Sequence, residues 1–122
     1  MLKSINAKEF VKNEDLDKAL IELSNAREIL NSKNQNFSFL KEIINLRMAN
    51  IFIVLEDLES AKNILEVPFS TNLVNKLILQ GDILTKENKF IEAKQKYNQA
   101  LEKTGNESQK KMINLKISTL TK

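Results

Sequence analysis

The chain has 122 residues, of which 42% are hydrophobic and 29% charged, and this composition predicts a globular protein with a modest core. Cysteine and histidine are both absent, which excludes disulfides, Ser-His-Asp and Cys-His catalysis, and the usual zinc sites. The net charge of +3 comes mostly from lysines that are mixed with acidic residues, and such a solvated surface does not favour nucleic-acid binding.

The first predicted hairpin covers residues 2–31. Its first helix is expected to run from about Leu2 to Lys12 and to be followed by a turn at residues 13–15. Apolar residues recur in its second helix at steps of three and four, which is typical of an amphipathic helix. These apolar residues are Leu16, Ala19, Leu20, Leu23, Ala26, Ile29 and Leu30. The polar, asparagine-rich segment that follows is predicted to be a loop.

The second predicted hairpin covers residues 38–67. Ser38 is a suitable N-cap for the third helix, which is expected to end near Glu56. A short break at Glu56 and Asp57 leads to the fourth helix. That helix must end before Pro68, because proline cannot continue a helix.

The third predicted hairpin covers residues 71–104 and has its turn at Glu87 and Asn88. Gly105 follows it as a C-terminal cap residue. A seventh helix, over about residues 107–120, is expected to cap the open end of the stack.

The segment LILQGDILTKENKFIEAKQKYNQAL has the spacing of a tetratricopeptide repeat, a helix–turn–helix unit that stacks on copies of itself. Gly81 is followed twelve residues later by Ala93, and then by Tyr97 and Ala100. Small residues are needed at these positions because only glycine or alanine lets the two helices of a hairpin approach closely.

The same step recurs in the second hairpin, since Ala49 and Ala61 lie thirty-two residues before Gly81 and Ala93. We therefore predict an all-α fold in which three tetratricopeptide-like hairpins stack in a right-handed superhelix, followed by a C-terminal capping helix. The whole chain, residues 1–122, is expected to form one such domain. A fold built in this way is usually a binding scaffold and not a catalyst.

Four sequence blocks are similar to one bacterial family. They are FVKNEDLDKAL at residues 10–20, INLRMANIFIVLEDLESAKNIL at 44–65, LQGDILTKENKFIEAKQKYNQAL at 79–101 and KMINLKISTL at 111–120. The third block is common to repeats in general, whereas the NLR sequence of the second and the MxxxKIxxL pattern of the fourth are more specific. On these blocks the chain resembles the YfgM family, the ancillary subunits of the SecYEG translocon.

This resemblance implies the periplasmic domain of a translocon-associated subunit, a protein-protein interaction scaffold that links translocon subunits to periplasmic chaperones. It implies no enzymatic activity. It also implies a location on the periplasmic side of the bacterial inner membrane, through a single-pass anchor upstream of this chain. The sequence itself contains no apolar run of membrane-spanning length, and Lys3 and Lys8 interrupt the apolar residues after Met1, so we expect no signal peptide.

Other functional classes stay open beside this one. A generic cytosolic tetratricopeptide-repeat adaptor or co-chaperone would have the same fold, and a nucleic-acid-binding helical repeat would bind with a steep salt dependence. An enzyme is least favoured, because no GxGxxG or GxxxxGK[ST] motif is present. No cofactor is expected. The acidic group of Glu56, Asp57 and Glu59 is interpreted as a solvated turn or helix cap and not as a metal site.

The third helix is the best candidate for a binding surface, because it is apolar almost all round. Either the flanking hairpins and the seventh helix bury it, or it leaves an apolar groove for a helix or extended segment of a partner. The candidate protein-binding residues are Ile43, Leu46, Arg47, Asn50, Ile53, Val54, Ile78 and Asp82. A clamp for a terminal carboxylate, built from Lys8, Arg47 and Asn50, is not favoured because Asp82 would repel that group.

Overall fold

The computed structural model describes residues 6–32 and 37–120, with side chains from residue 13 onward. All regular structure in these residues is helical, so the predicted all-α, tetratricopeptide-like fold is confirmed. The helices are α1 (Asn6–Asn31), α2 (Ser38–Val54), α3 (Leu58–Leu65), α4 (Leu73–Lys86), α5 (Phe90–Lys103) and α6 (Glu107–Ser118).

The structure differs from the prediction in the region of the first predicted hairpin, residues 2–31. A single helix, α1, runs through residues 13–15 without a break, so the turn expected there is wrong. Asn13, Glu14 and Asp15 are all exposed, and none of them is a glycine or proline that would force the chain out of a helix. Two hairpins, α2–α3 and α4–α5, therefore follow one long helix, and the segment from Met1 to Ile5 lies outside the described residues.

The two hairpins share the same turn geometry. Glu56, after α2, and Asn88, after α4, both have a left-handed backbone, with φ angles of 63° and 64°. In each turn the next amide donates to the carbonyl five residues earlier, at 2.8 Å, which is the Schellman arrangement of a helix C-terminus. The two turns are separated by the same thirty-two residues that separate the repeated small residues in the sequence.

Helices α4 and α5 are in tight contact at Gly81. A Cβ atom added there would lie 2.5 Å from Cε1 of the Tyr97 ring, so no side chain fits without displacing that ring. Around Tyr97, one core cluster joins α4, α5 and α6. Its other buried members are Leu77, Ile78, Ala93, Ala100, Ile113 and Leu120.

A second core cluster lies where the α2–α3 hairpin meets α4. It consists of Ala49, Ile53, Ala61, Leu65 and Ile83. Helix α2 also contacts α1, so it has three neighbouring helices, but Phe39, Leu40 and Val54 stay exposed. The flanking helices thus bury only part of the apolar surface of α2, while the seventh predicted helix, observed as α6, packs mainly on α5.

Candidate protein-binding cleft

Helices α2, α4 and α6 form an open cleft of about 450 Å³. Its apolar lining residues are Ile43, Leu46, Ile78, Leu79 and Met112, and its polar ones are Arg47, Asn50, Asn72, Asn75, Asp82 and Lys116. The cleft brings together most of the binding residues that the sequence indicated. These are Ile43, Leu46, Arg47, Asn50, Ile78 and Asp82.

Two of the candidate residues lie outside this cleft. Ile53 is only 6% exposed and packs in the second core cluster, so it belongs mainly to the interior. Its remaining surface faces a separate, more polar cleft beside Tyr97 and Lys116. Val54, the last residue of α2, is 48% exposed and does not line either cleft. Lys8 has no described side chain.

The apolar floor of the cleft is only partly covered. Ile43 and Leu46 on α2 are half-buried, and Met112 on α6 is 41% exposed. Ile78, by contrast, is almost completely buried in the core and presents only an edge to the cleft. The open apolar surface therefore belongs to α2 and α6, with α4 between them.

Asp82 is held in place on both sides. The Tyr97 hydroxyl donates to its Oδ1 at 2.5 Å, and Lys116 Nζ donates to the same oxygen at 3.0 Å. Burial, together with the hydrogen bond to Asp82, raises the pKa of the Tyr97 hydroxyl, so this group stays protonated and remains a donor. Because Lys116 pairs with Asp82, this carboxylate repels an acidic ligand less than the sequence alone suggested.

The pairing at Asp82 predicts a measurable loss in the Tyr97→Phe variant. The ring and its packing are retained, but the half-buried Asp82 carboxylate loses one of its two donors, so the free energy of unfolding should fall by about 1–2 kcal/mol. Urea unfolding followed by circular dichroism measures this change. Lys110→Met removes an exposed ion pair on α6, with Glu107, and should stay within experimental error of the parent. Equal stability of Tyr97→Phe and the parent would contradict the assigned hydrogen bond.

Glu42 is an important residue that the sequence did not reveal. It lies on α2, is 5% exposed and accepts hydrogen bonds from three consecutive residues before α4. Its Oε2 accepts from the backbone N and Oγ of Ser70, at 2.7 and 2.9 Å. Its Oε1 accepts from the backbone N atoms of Thr71 and Asn72, both at 3.1 Å, and from both of their side chains. The carboxylate thus satisfies the backbone amides of the three residues that lead into α4.

The hydrogen bonds at Glu42 outweigh the cost of its burial. Burial alone would raise the pKa of this carboxyl, but the bonds from Ser70 and Thr71 lower it from 4.5 to about 2. Glu42 is therefore ionised at neutral pH and fixes the segment before α4 against α2. Two features of the sequence could have indicated this contact. Glu42 is the only acidic residue of α2, and Ser70, Thr71 and Asn72 form a run of hydrogen-bond donors before α4.

The acidic turn at residues 56–59 has a structural role. The Asp57 side chain caps α3, because it accepts from the backbone N of Ser60 at 3.3 Å and from its Oγ at 2.8 Å. Within residues 6–32 and 37–120, no group of three or more acidic side chains is placed to hold a metal ion. No helix in the described part of the chain is both long and apolar enough to cross a membrane.

Comparisons with known proteins agree with the fold. A family model described as a tetratricopeptide repeat-like domain matches residues 1–122. The chain is also 30% identical, over 115 residues, to the ancillary SecYEG translocon subunit of Buchnera aphidicola subsp. Acyrthosiphon pisum. The aligned region covers 93% of this chain but only 57% of that protein, so the chain spans little more than half of its relative's length. No solved structure matches the chain. The resemblance to the YfgM family that the sequence blocks indicated is confirmed by this similarity.

Proposed function

The chain belongs to the tetratricopeptide repeat-like family, and from this we propose that it is a protein-interaction scaffold that associates with the SecYEG translocon. The open cleft between α2, α4 and α6 is the observation that carries the proposal. It combines half-buried aliphatic side chains with fixed polar groups, as peptide-binding grooves do. A scaffold role without catalysis is in keeping with the family and with the translocon subunit that the chain resembles.

The apolar part of the cleft alone supports only modest binding. Covering the exposed parts of Ile43, Leu46 and Met112 contributes about 1 kcal/mol for each side chain, since all three are already partly buried. The costs of association offset much of this gain. Micromolar affinity, about 8 kcal/mol, therefore requires polar contacts in addition to the apolar ones.

The proposed cellular setting is the periplasmic side of the bacterial inner membrane. There the chain would link translocon subunits to periplasmic chaperones, held by an anchor outside this sequence. The support for this finer proposal is the resemblance to the YfgM family and the similarity to an ancillary translocon subunit. A cytosolic adaptor would use the same cleft with other partners.

Co-purification of the full-length protein with its cognate SecYEG complex tests the proposal. Ile43→Asp should reduce the recovered translocon at least about tenfold, because it places a charge on the apolar floor. The matched control is Val54→Asp, which introduces the same charge on an exposed apolar residue of α2 outside the cleft and should leave recovery unchanged. Circular dichroism should give the parent helical content for both variants.

Other outcomes would reject the cleft as the binding surface. If Ile43→Asp keeps both its fold and its translocon, or if Val54→Asp loses the translocon equally, another surface is responsible. Ile53→Asp shows what the loss of the fold looks like in the same experiment. Because Ile53 is a core residue, its variant should lose helical structure together with binding.

A further inference from the structure

Four cleft residues of α2 form one continuous stripe along the helix. Ile43, Leu46, Arg47 and Asn50 are spaced by three, four and seven residues, so they share one helical face, and all four line the cleft. The apolar pair comes first along α2 and the polar pair second. The stripe therefore changes from apolar to polar within about two helical turns.

One positively charged side chain of the cleft, Arg47, is not paired with an acidic residue of the cleft. The charged lining residues of the cleft are Arg47, Asp82 and Lys116, of which Asp82 and Lys116 are bonded to each other. Arg47 is exposed, and it forms no ion pair or hydrogen bond with any described residue. The excess charge of the cleft is thus positive and is located at the polar half of the α2 stripe, where Asn50 adds an exposed amide.

The length of the stripe sets the spacing that a ligand needs. The centres of its apolar and polar pairs are four residues apart on α2, which corresponds to about 6 Å at 1.5 Å per residue. An extended peptide rises about 3.3 Å per residue and places alternate side chains on the same face. Two side chains separated by one residue therefore match the two halves of the stripe.

We propose that the cleft binds an extended acidic segment of a partner protein, in which an aliphatic side chain is followed two residues later by Asp or Glu. The aliphatic side chain rests on Ile43 and Leu46, and the carboxylate is bound by the Arg47 guanidinium with the Asn50 amide beside it. This inference rests on the proposed scaffold function and specifies the chemistry of its partner. Arg47 is the residue that determines specificity.

Synthetic peptides test the inference directly. The probe is an acetylated, amidated peptide that carries two Leu-Ser-Glu units, and its two controls have Leu-Ser-Gln or Leu-Glu-Ser units instead. Binding to the full chain is measured by fluorescence anisotropy at low and high salt. The Leu-Ser-Glu peptide should bind about tenfold more tightly than either control, and added salt should reduce the difference.

Two variants assign the effect to Arg47. Arg47→Gln should remove the preference for the acidic peptide, whereas Lys94→Gln removes the same net charge from an exposed position on α5 and should preserve it. Equal loss in the two variants would mean that only overall charge matters, and this would overturn the inference. Equal binding of the three peptides, or no binding of any of them, would overturn it as well.

A further peptide separates a side-chain carboxylate from a terminal one. If the Leu-Ser-Gln peptide with a free C-terminus binds as tightly as the acidic probe, the cleft recognises chain ends and the inference is wrong. The two proposals can fail separately. If the acidic probe does not bind, but Ile43→Asp still reduces co-purification with the translocon, only the inference about the acidic segment is rejected. The scaffold proposal would then stand, because its own test does not depend on the partner's charge.

Discussion

Replacing Gly81 with alanine is expected to destabilise the protein, although alanine is the better helix former by about 1 kcal/mol. The new Cβ would lie 2.5 Å from Cε1 and 2.8 Å from Cδ1 of Tyr97, a ring that is 2% exposed and packed on all sides. We expect a net loss of about 1–3 kcal/mol in the free energy of unfolding. Gly81→Leu should lose more, since its larger side chain would have to separate α4 from α5.

Urea unfolding of both Gly81 variants measures this overpacking. Gly105→Ala is the matched control, because no atom beyond its two chain neighbours lies within 4 Å of the position that its Cβ would take. Ala93→Leu should resemble the Gly81 variants, since Ala93 is fully buried in the same contact between α4 and α5. A Gly81→Ala protein as stable as the parent would mean that the two helices are farther apart than described.

Replacing Glu42 with glutamine is the second change with a large expected effect. Glutamine keeps the shape of the side chain but loses the charge, and its amide group would face the donors of Ser70, Thr71 and Asn72. Charge-assisted hydrogen bonds are stronger than neutral ones, and a donor placed against donors leaves buried groups unsatisfied. We expect a loss of about 3 kcal/mol in the free energy of unfolding at pH 7.

The same residue predicts how stability depends on pH. The pKa of Glu42 is about 2 in the folded protein and 4.5 when unperturbed, so the unfolded chain takes up a proton first as the pH falls. The stabilisation by Glu42 is complete above pH 4.5 and is lost between about pH 4.5 and pH 2. In Glu42→Gln, unfolding measured across this range should show a smaller slope than in the parent.

An exposed glutamate provides the control for this titration. Glu22→Gln removes the charge of an exposed side chain in the middle of α1, away from both helix ends, and should leave the slope of the parent curve unchanged. If the Glu42→Gln curve runs parallel to that of the parent, the acid sensitivity arises at other carboxyl groups and Glu42 does not carry the pKa assigned to it.

The sequence predicted those parts of the fold that depend on local sterics. Gly81 and Ala93 must be small wherever a helix pair packs closely, so their spacing gave the α4–α5 hairpin, and the capping helix α6 was placed correctly. The turn at residues 13–15 was wrong because polar residues alone do not end a helix. The right-handed superhelix and the single domain stay predictions.

The cleft and the polar contacts beside it were predicted only in part, because these contacts join residues far apart in the chain. The donors to Glu42 lie 28 to 30 residues away, and Lys116 lies 34 residues from Asp82. Helical periodicity also cannot tell which apolar face the next hairpin covers. For this reason Ile53 was grouped with Ile43, although α3 and α4 bury the former and leave the latter half-open.

The position of Glu42 has a consequence for the cooperativity of the protein. In many helical repeat arrays, stability is a sum of the intrinsic stability of each repeat and the coupling between neighbours. Here Glu42 of the α2–α3 hairpin accepts hydrogen bonds from the three residues that lead into the α4–α5 hairpin, so one carboxylate strengthens the coupling between neighbours. If the hairpins separate, Glu42 loses its donors and the segment before α4 loses its acceptor. This contact therefore favours cooperative unfolding of the two hairpins.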